Sequence, residues 1–271
     1  MPEGIEIEIY RQAAEAVVGR TVSTVSAPDA WYLKDGLSAT DLQAMIGGQT
    51  IAAVRQRGKL MIIDFGVEAQ GQIRLGLRFG MTGRLVVDGV AAIKHLEYAS
   101  RKSNPDWTRF RLGFEQGGEL FIHDPRRLGA VVLEPDEDAL GVDMFTIELE
   151  ECQRRVFVGQ VALKARLLDQ SRIAGIGNLI ADEVLWRAGI DPARPAGSVT
   201  VQEQEQFMKV LRSTLDELMA QGGSHTGRLY VARVRGGSCP VDGAELSRRQ
   251  IGGRTTYSCP VHQQSRPLGS I

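Results

Sequence analysis

Apolar residues follow a helical spacing at the start of the chain and a spacing of two after it. Ile5, Ile9, Ala13 and Val17 recur every four residues and Gly19 follows them, which predicts a short amphipathic helix. Beyond residue 20 the apolar positions alternate with polar or small ones, in segments separated by Gly and Asp turns. We therefore predict a β-sandwich or barrel over residues 20 to 135, with strands at 59–65, 73–79, 84–87, 110–114, 119–122 and 130–133.

Helical spacing returns after the acidic residues 134–138, which are typical of a linker. It predicts helices over about 157–168, 179–188 and 201–220, the last of them ended by Gly222-Gly223. The remaining tail has few large apolar residues, so it needs a stabilising cross-link to fold. We therefore predict a β domain at 1–135, a linker at 136–150, a helical domain at 151–222 and a separate tail at 223–271.

Composition places the chain among cytoplasmic globular proteins. Its 271 residues suffice for two domains, and hydrophobic residues make up 43%. No apolar run is long enough to span a bilayer, and the acidic N-terminus does not resemble a secretory signal. The three cysteines are too few and odd in number for a disulfide scaffold, and Cys152 is predicted to be a buried small hydrophobe.

Charge is distributed unevenly although the net charge is only −1. From Gly222 onward the chain has seven arginines, Arg266 among them, against two acidic residues. Arginine suits planar phosphate contacts, so the tail is compatible with nucleic-acid binding. Composition alone is equally compatible with a solvated tail.

Two short motifs in the tail have the spacing of metal ligands. Cys239-Pro-Val-Asp242 and Cys259-Pro-Val-His262 each place two ligand side chains around a two-residue spacer, with sixteen residues between the motifs. This is the pattern of a zinc ribbon, although four cysteines are the commoner ligand set. We predict one structural Zn²⁺ on Cys239, Asp242, Cys259 and His262. The alternative is a degenerate ribbon that folds without metal.

Several separated motifs resemble one protein family. They are the opening Met-Pro-Glu-Gly, Arg57-Gly-Lys59, residues 123–129 (His-Asp-Pro-Arg-Arg-Leu-Gly), Lys164 with Gly175-Ile-Gly-Asn178, and the ribbon with Arg254. In order and spacing the chain resembles the formamidopyrimidine-DNA glycosylases and endonuclease VIII over essentially its whole length. The resemblance implies an α+β fold: a β-sandwich domain with an N-terminal helix, then a helix–two-turn–helix domain with a β-hairpin zinc ribbon.

The resemblance also implies a catalytic group at the N-terminus. Removal of Met1 would free the amine of Pro2 to attack C1′ of a damaged nucleotide, giving an iminium and then strand cleavage. Glu3 would be the general acid–base and Glu6 would orient the first turn. Lys59 would contact the phosphate next to the lesion. Without the other motifs, Pro2 and Glu3 would indicate an ordinary helix start, and the alternative for Lys59 is a solvated charge at a strand edge.

Further residues are predicted by the same resemblance to bind damaged double-stranded DNA. Met81, Arg126 and Leu128 would fill the gap left by a flipped nucleotide, although Met81 and Leu128 also suit a core. Lys164, Asn178 and Arg254 would contact the phosphate backbone; their alternative is ordinary surface or capping roles. We expect a monomer that is associated with the bacterial nucleoid.

The sequence departs from the family where the lesion is recognised. Only fifteen residues lie between Gly223 and Cys239, fewer than in relatives that fold a segment over 8-oxoguanine. We therefore expect oxidised pyrimidines, ring-opened purines or bulkier alkylated or crosslinked bases. The alternatives to a bifunctional glycosylase and abasic-site lyase are a non-catalytic damage-binding relative and an unrelated zinc-ribbon interaction protein.

Overall fold

The chain forms two compact units. The computed structural model describes residues 2–66, 71–93, 96 and 104–263; Met1 and Arg266 lie outside them. The first unit contains Pro2 and Glu6–Glu137, and the second contains Glu3–Ile5 and the chain from Asp138 onward. Strands dominate the first unit and helices the second, which confirms the predicted α+β fold class.

Two antiparallel sheets build the first unit. A five-stranded sheet has the order β1-β7-β8-β5-β6, and a four-stranded sheet has the order β2-β3-β4-β9. The strand alternation follows burial: every second residue of β7 is buried, whereas all residues of the central β3 are buried. The strands are β1 (Val22–Ser26), β2 (Ile51–Arg57), β3 (Leu60–Phe65), β4 (Ile73–Arg78), β5 (Arg84–Val87), β6 (Val90–Ala91), β7 (Thr108–Phe114), β8 (Glu119–His123) and β9 (Ala130–Leu133).

Two helices complete the core of this unit. Helix α1 (Gly4–Ala14) contributes Tyr10, whose ring packs 4.6 Å from that of Phe79. Helix α2 (Ala39–Ile46) begins at a capping box in which Ser38 and Asp41 bond reciprocally. The predicted N-terminal helix is confirmed, while α2 was missed although its capping residues are visible in the sequence.

Helices and a hairpin form the second unit. A short parallel pair joins β10 (Val142–Asp143) to β11 (Ile173–Ala174). The segment 136–150, which was predicted to be a linker, therefore contains a strand, and from Asp138 onward it belongs to the second unit. The hairpin of the tail lies in the same unit. The elements are α3 (Leu149–Arg155), α4 (Leu163–Leu168), α5 (Asn178–Arg187), α6 (Val201–Gln221), β12 (Ser247–Ile251) and β13 (Arg254–Ser258).

The predicted helix over 157–168 is wrong in its first half. Helix α3 ends at Arg155, and α4 starts only at Leu163. Between them Gly159 adopts a φ of 75° and accepts a backbone bond from Gly197. A residue with this φ cannot continue a right-handed helix. Residues 157–162 therefore form a non-helical connection, although their apolar residues have the spacing of a helix.

In the part of the chain that the structure describes, no helix has the length and apolar character needed to cross a bilayer.

Candidate active site and nucleic-acid interface

Glu3 lies at the N-terminus of helix α5. Its carboxylate is 1% exposed and accepts backbone N–H bonds from Leu179 at 2.8 Å and Ile180 at 3.0 Å. A Cβ atom on Gly177 would lie 2.2 Å from the Glu3 carboxyl carbon, so only glycine permits this approach. The free N–H groups and the positive end of the helix dipole stabilise the negative carboxylate. The structure therefore places the predicted acid–base residue in a fixed, desolvated position.

Lys164 occupies the interior of the second unit. Its side chain is fully buried, and its ammonium nitrogen lies 2.7 Å from Asn178 Oδ1, 2.7 Å from Thr256 Oγ1 and 2.6 Å from Asp182 Oδ1. Burial lowers the pKa of Lys164, and the neighbouring Asp182 opposes this shift. A buried ammonium does not reach a DNA backbone, so in this arrangement Lys164 orients Asn178 and the hairpin instead.

Asn178 and the hairpin are joined by the same polar network. The Asn178 amide donates to the carbonyl of Thr255 at 3.1 Å, and Asp182 accepts the N–H of Tyr257 at 3.3 Å. The guanidinium of Arg233 binds the same carboxylate at 3.0 Å. These bonds fix the start of α5 beside β13. Asn178 therefore lies next to the start of the strand whose first residue, Arg254, is exposed.

Asp182 is a residue that sequence reasoning missed. It is fully buried and ties together α4, α5, β13 and the segment before the hairpin through its contacts with Lys164, Tyr257 and Arg233. The available signal was its position four residues after Asn178, which puts both side chains on one helix face.

Asp124 organises two loops of the first unit. One of its carboxylate oxygens accepts the Thr82 hydroxyl at 2.5 Å and the N–H of Arg126 at 3.2 Å. The other accepts the N–H groups of Leu128 at 3.0 Å and Gly129 at 2.9 Å. The carboxylate is fully buried. Loop 79–83 and loop 124–129 are therefore held to each other by one side chain.

The residues predicted to fill the DNA gap lie on these two loops. Met81 is half-buried, Arg126 is exposed and Leu128 is 49% exposed. Arg127 has a φ of 56° and forms a bidentate ion pair with Asp29, which holds the pKa of Asp29 below its usual range. The exposure of Leu128 excludes the alternative that it is a core residue.

The other predicted catalytic residues also lie in the first unit. Pro2 and Glu6 are buried, and the charge of Glu6 adds to the burial that raises the pKa of Tyr10. Lys59 does not open a strand as expected: it is the second residue of a two-residue turn between β2 and β3, and is half-buried. Gly58, with a φ of 60°, supplies the positive φ that such a turn requires.

The four residues of the two tail motifs form a cluster. One possible ligand atom from each of Cys239, Asp242, Cys259 and His262 lies within 4.8 Å of the others. Cys239 Sγ is 3.5 Å from His262 Nδ1, and Asp242 Oδ2 is 3.1 Å from both His262 Nδ1 and Cys259 Sγ. Ligands around a tetrahedral zinc ion are separated by roughly 3.3–3.8 Å. This cluster could hold a metal ion.

The surroundings of the cluster fit a metal as well. The backbone N–H groups of Val241 and Val261 each lie 3.4 Å from the cysteine sulfur two residues before them. His262 Nε2 lies 3.0 Å from the carbonyl oxygen of Trp186, which fixes a tautomer with Nδ1 free to face the cluster. The pKa of Asp242 is held below its usual range, mainly by the Ala244 N–H. Donors of this kind stabilise the anionic ligand forms.

Two family models match consecutive parts of the chain. The model of the formamidopyrimidine-DNA glycosylase N-terminal domain matches residues 1–131, and that of the H2TH domain matches residues 131–228. A formamidopyrimidine-DNA glycosylase of Parafrankia sp. (strain EAN1pec) is 33% identical and covers 97% of this chain and 98% of its own. That of Paracoccus denitrificans is 32% identical, covering 97% and 100%.

Solved structures share the fold. Lactococcus lactis Fpg in complex with DNA containing an abasic site has a TM-score of 0.78 and 23% identity, and covers 97% of this chain and 99% of its own. The same protein in complex with DNA containing N7-benzyl-Fapy-dG has a TM-score of 0.79 and 24% identity, and covers 97% and 100%. At this identity the likeness shows the fold alone.

A glycosylase N-terminal domain followed by an H2TH domain defines a DNA glycosylase of base excision repair. Since the relatives are similar over nearly their whole length, the chain belongs to the family of the formamidopyrimidine-DNA glycosylases.

Proposed function

We propose that this glycosylase is bifunctional: it releases a damaged base and then cleaves the strand, with the amine of Pro2 as nucleophile. The observation that supports this most is the placement of Glu3, the next residue. Its buried carboxylate is fixed by two N–H donors of helix α5. A nucleophilic amine needs a general acid–base within reach, and a fixed carboxylate beside it supplies one.

The chemistry follows from an N-terminal proline. With Met1 removed, Pro2 carries a free α-amino group, a class of amine that loses its proton far more readily than a lysine does. Its lone pair attacks C1′, the base leaves with the electrons of the glycosidic bond and gains a proton, and the C1′–O4′ bond opens as O4′ is protonated. The resulting iminium withdraws electrons, so that loss of a C2′ proton expels the 3′ phosphate.

Glu3 starts this sequence as a base. The N–H donors and the helix N-terminus favour its anionic form, so it takes the proton that the Pro2 nitrogen loses and then gives it to O4′. Glu6 orients the first turn of α1. Lys59, Asn178 and Arg254 contact the phosphates, with Lys164 holding Asn178 in place through its 2.7 Å bond.

A non-catalytic damage binder is the second candidate, and one observation favours it. A carboxylate that accepts two N–H bonds at a helix start stabilises the fold without any chemistry. Such a binder would hold damaged duplex with a steep dependence on salt and would leave the strand intact.

The lesion class is inferred from the segment between Gly223 and Cys239. Glu183 accepts the N–H groups of Arg228 at 3.0 Å and Leu229 at 2.9 Å, and the Leu229 side chain is fully buried. A short segment tied down in this way does not fold over a flipped base. We therefore propose oxidised pyrimidines, ring-opened purines and bulkier alkylated or crosslinked bases as substrates. Lactococcus lactis Fpg, which shares the fold, has been solved in complex with DNA containing N7-benzyl-Fapy-dG and with DNA containing an oxidised pyrimidine.

Excision assays on duplexes with one lesion each test the proposal. We expect strand cleavage at oxidised pyrimidines and ring-opened purines at least about tenfold faster than at 8-oxoguanine, a difference of about 1.4 kcal/mol in the barrier. Base release with an intact strand would refute the lyase step. Tight, salt-dependent binding with no base release would favour the non-catalytic binder.

We further propose that the ligand cluster binds one structural Zn²⁺. Two thiolates, one carboxylate and one imidazole suit this ion, and a bound ion would cross-link the two ends of the hairpin. The local apolar core is small and consists of Trp186, Leu229, Cys239, Leu246 and Cys259. The metal therefore stabilises the fold of the hairpin that carries Arg254 and takes no part in the reaction.

Cys259→Ser is expected to release the zinc and to weaken duplex binding. Loss of a ligand thiolate should lower the metal affinity by at least about 100-fold, more than the loss of a supporting contact does. Metal content per chain and duplex affinity are the two measurements. Cys152→Ser is the matched control, because Cys152 is buried outside the cluster and burial raises its pKa to about 12. Full zinc content in Cys259→Ser would refute the ligand assignment.

A further inference from the structure

Trp31 is an exposed aromatic residue with no role in the reaction described above. Its surface is 66% exposed, and no other Phe, Trp or Tyr among the described residues is as exposed. It lies in a single 3₁₀ turn, Ala30–Tyr32, capped by the Asp29 carboxylate, which accepts the Trp31 N–H. An isolated exposed hydrophobe is common on protein surfaces, so its significance depends on how the ring is held and what surrounds it.

The indole ring is held by a neighbouring cation. The Lys34 ammonium donates to the Trp31 carbonyl at 2.6 Å and lies 4.1 Å from the centroid of the ring. This cation–π contact covers one face of the indole and restricts its rotation. With 66% of the residue exposed, most of its surface remains available to a planar partner. An ordered ring loses little conformational entropy when it binds.

The turn that carries Trp31 is bound to loop 124–129. Asp29 forms a bidentate pair with Arg127 at 2.5 and 2.7 Å. The Tyr32 hydroxyl donates to Asp124 at 3.4 Å, and the Lys34 N–H donates to the carbonyl of Val131 at 3.1 Å. Residues on both sides of Trp31 are therefore bonded to the loop that carries Arg126 and Leu128 or to the strand that follows it.

The charge around this surface selects its partner. Arg126 and Arg127 are exposed and Lys34 is partly exposed. Of the nearby acidic residues, Asp29 is paired with Arg127 and Arg109, and Asp35 next to Lys34 is exposed, so cations outnumber unpaired acids on this surface. An open aromatic face with a cationic rim matches a nucleobase and its phosphate. An apolar protein groove would instead require a larger uncharged surface.

We propose that Trp31 stacks on a nucleobase of the damaged duplex and that Lys34 contacts a phosphate beside it. This inference rests on the proposed DNA-binding role of loop 124–129. The aromatic ring would supply the stacking that Leu128, an aliphatic residue, cannot provide at a disrupted base pair. Trp31 is thus a DNA-positioning residue, and it recognises the shape of an unstacked base rather than a sequence.

Equilibrium binding to a duplex with a stable abasic-site analogue tests this proposal. Since stacking on an aromatic ring contributes 1–3 kcal/mol, we expect about tenfold weaker binding for Trp31→Ala and a change within about threefold for Trp31→Phe. Lys34→Ala should lower the slope of log affinity against log salt by about 0.9, the loss of one phosphate contact. Val90→Ala, an equally exposed position elsewhere in the first unit, is the control.

Acrylamide quenching of tryptophan emission provides a second readout. Trp186 is buried and Trp107 half-buried, so Trp31 dominates the accessible signal, and we expect the duplex to protect it. Wild-type affinity for Trp31→Ala together with unchanged quenching in the complex would overturn the stacking proposal alone. Failure of the wild-type protein to bind any damaged duplex would overturn both this proposal and the proposed function.

Discussion

Glu3→Gln is expected to lower the rate of base excision by about 10²–10⁴-fold while duplex affinity changes by less than about threefold. Glutamine has the same shape, and its carbonyl oxygen still accepts one of the two N–H bonds from Leu179 and Ile180. It cannot take a proton from Pro2 or deliver one to O4′. The defect therefore falls on the chemical step, which single-turnover excision measures directly.

A matched substitution separates chemistry from helix stability. Glu8→Gln changes a nearby carboxylate, one that lies within helix α1 and pairs with Arg11. We expect it to keep the wild-type excision rate and to cost less than about 1 kcal/mol of stability. If Glu3→Gln also excised the base at the wild-type rate, Glu3 would only stabilise the start of helix α5 and would have no role in catalysis.

Asp124→Ala is expected to lower the free energy of unfolding by about 3–5 kcal/mol and to slow excision of a paired lesion. The substitution removes the acceptor of three backbone N–H groups in loop 124–129 and of the Thr82 hydroxyl in loop 79–83. Each buried donor left without a partner costs about 1–3 kcal/mol, and those near the surface recover part of this from water. Urea denaturation and single-turnover excision measure the two effects.

Asp124→Asn provides a graded comparison. Its amide can rotate so that the carbonyl accepts from Leu128 and Gly129 while the nitrogen donates to Thr82, which leaves only the N–H of Arg126 without its acceptor. We expect about a third of the loss of stability. If the loops fill the gap in the duplex, both variants should be less impaired on an already abasic duplex than on a paired lesion. Equal impairment on both substrates, or stability within 1 kcal/mol of wild type for Asp124→Ala, would contradict this role.

Much of the fold could be predicted because local pattern and tertiary burial agree. The strands Arg84–Val87 and Ala130–Leu133 and the helix Val201–Gln221 lie where periodicity and end signals place them. The helix prediction is wrong for residues 157–162, because tertiary hydrogen bonds that the apolar spacing does not reveal fix the backbone conformation of Gly159. Periodicity reports which residues are buried, and a turn can bury them as well as a helix.

The candidate site, like the fold, could be predicted only in part from the sequence. The sequence motifs identify Glu3, Asn178 and the tail cluster as candidate functional residues. The geometry of each is consistent with its predicted role. Lys164 is different: sequence suggests a surface cation, but Asp182 and Thr256 enclose it from distant parts of the chain. The role of Asp124 was not predicted either, because one of its partners, Thr82, lies 42 residues earlier in the chain. Burial of a charge depends on partners far along the chain, which a local motif does not show.

The identity of the nucleophile is the central claim, and borohydride trapping tests it most directly. The Met-processed protein is incubated with a duplex containing one abasic site, reduced, digested and mapped by mass spectrometry. The account predicts a covalent adduct on the peptide that begins with Pro2, and none from a protein with an added residue before Pro2, which turns the amine into an amide. An adduct at a lysine, or none from protein with a verified free Pro2 that binds the duplex tightly, would contradict it.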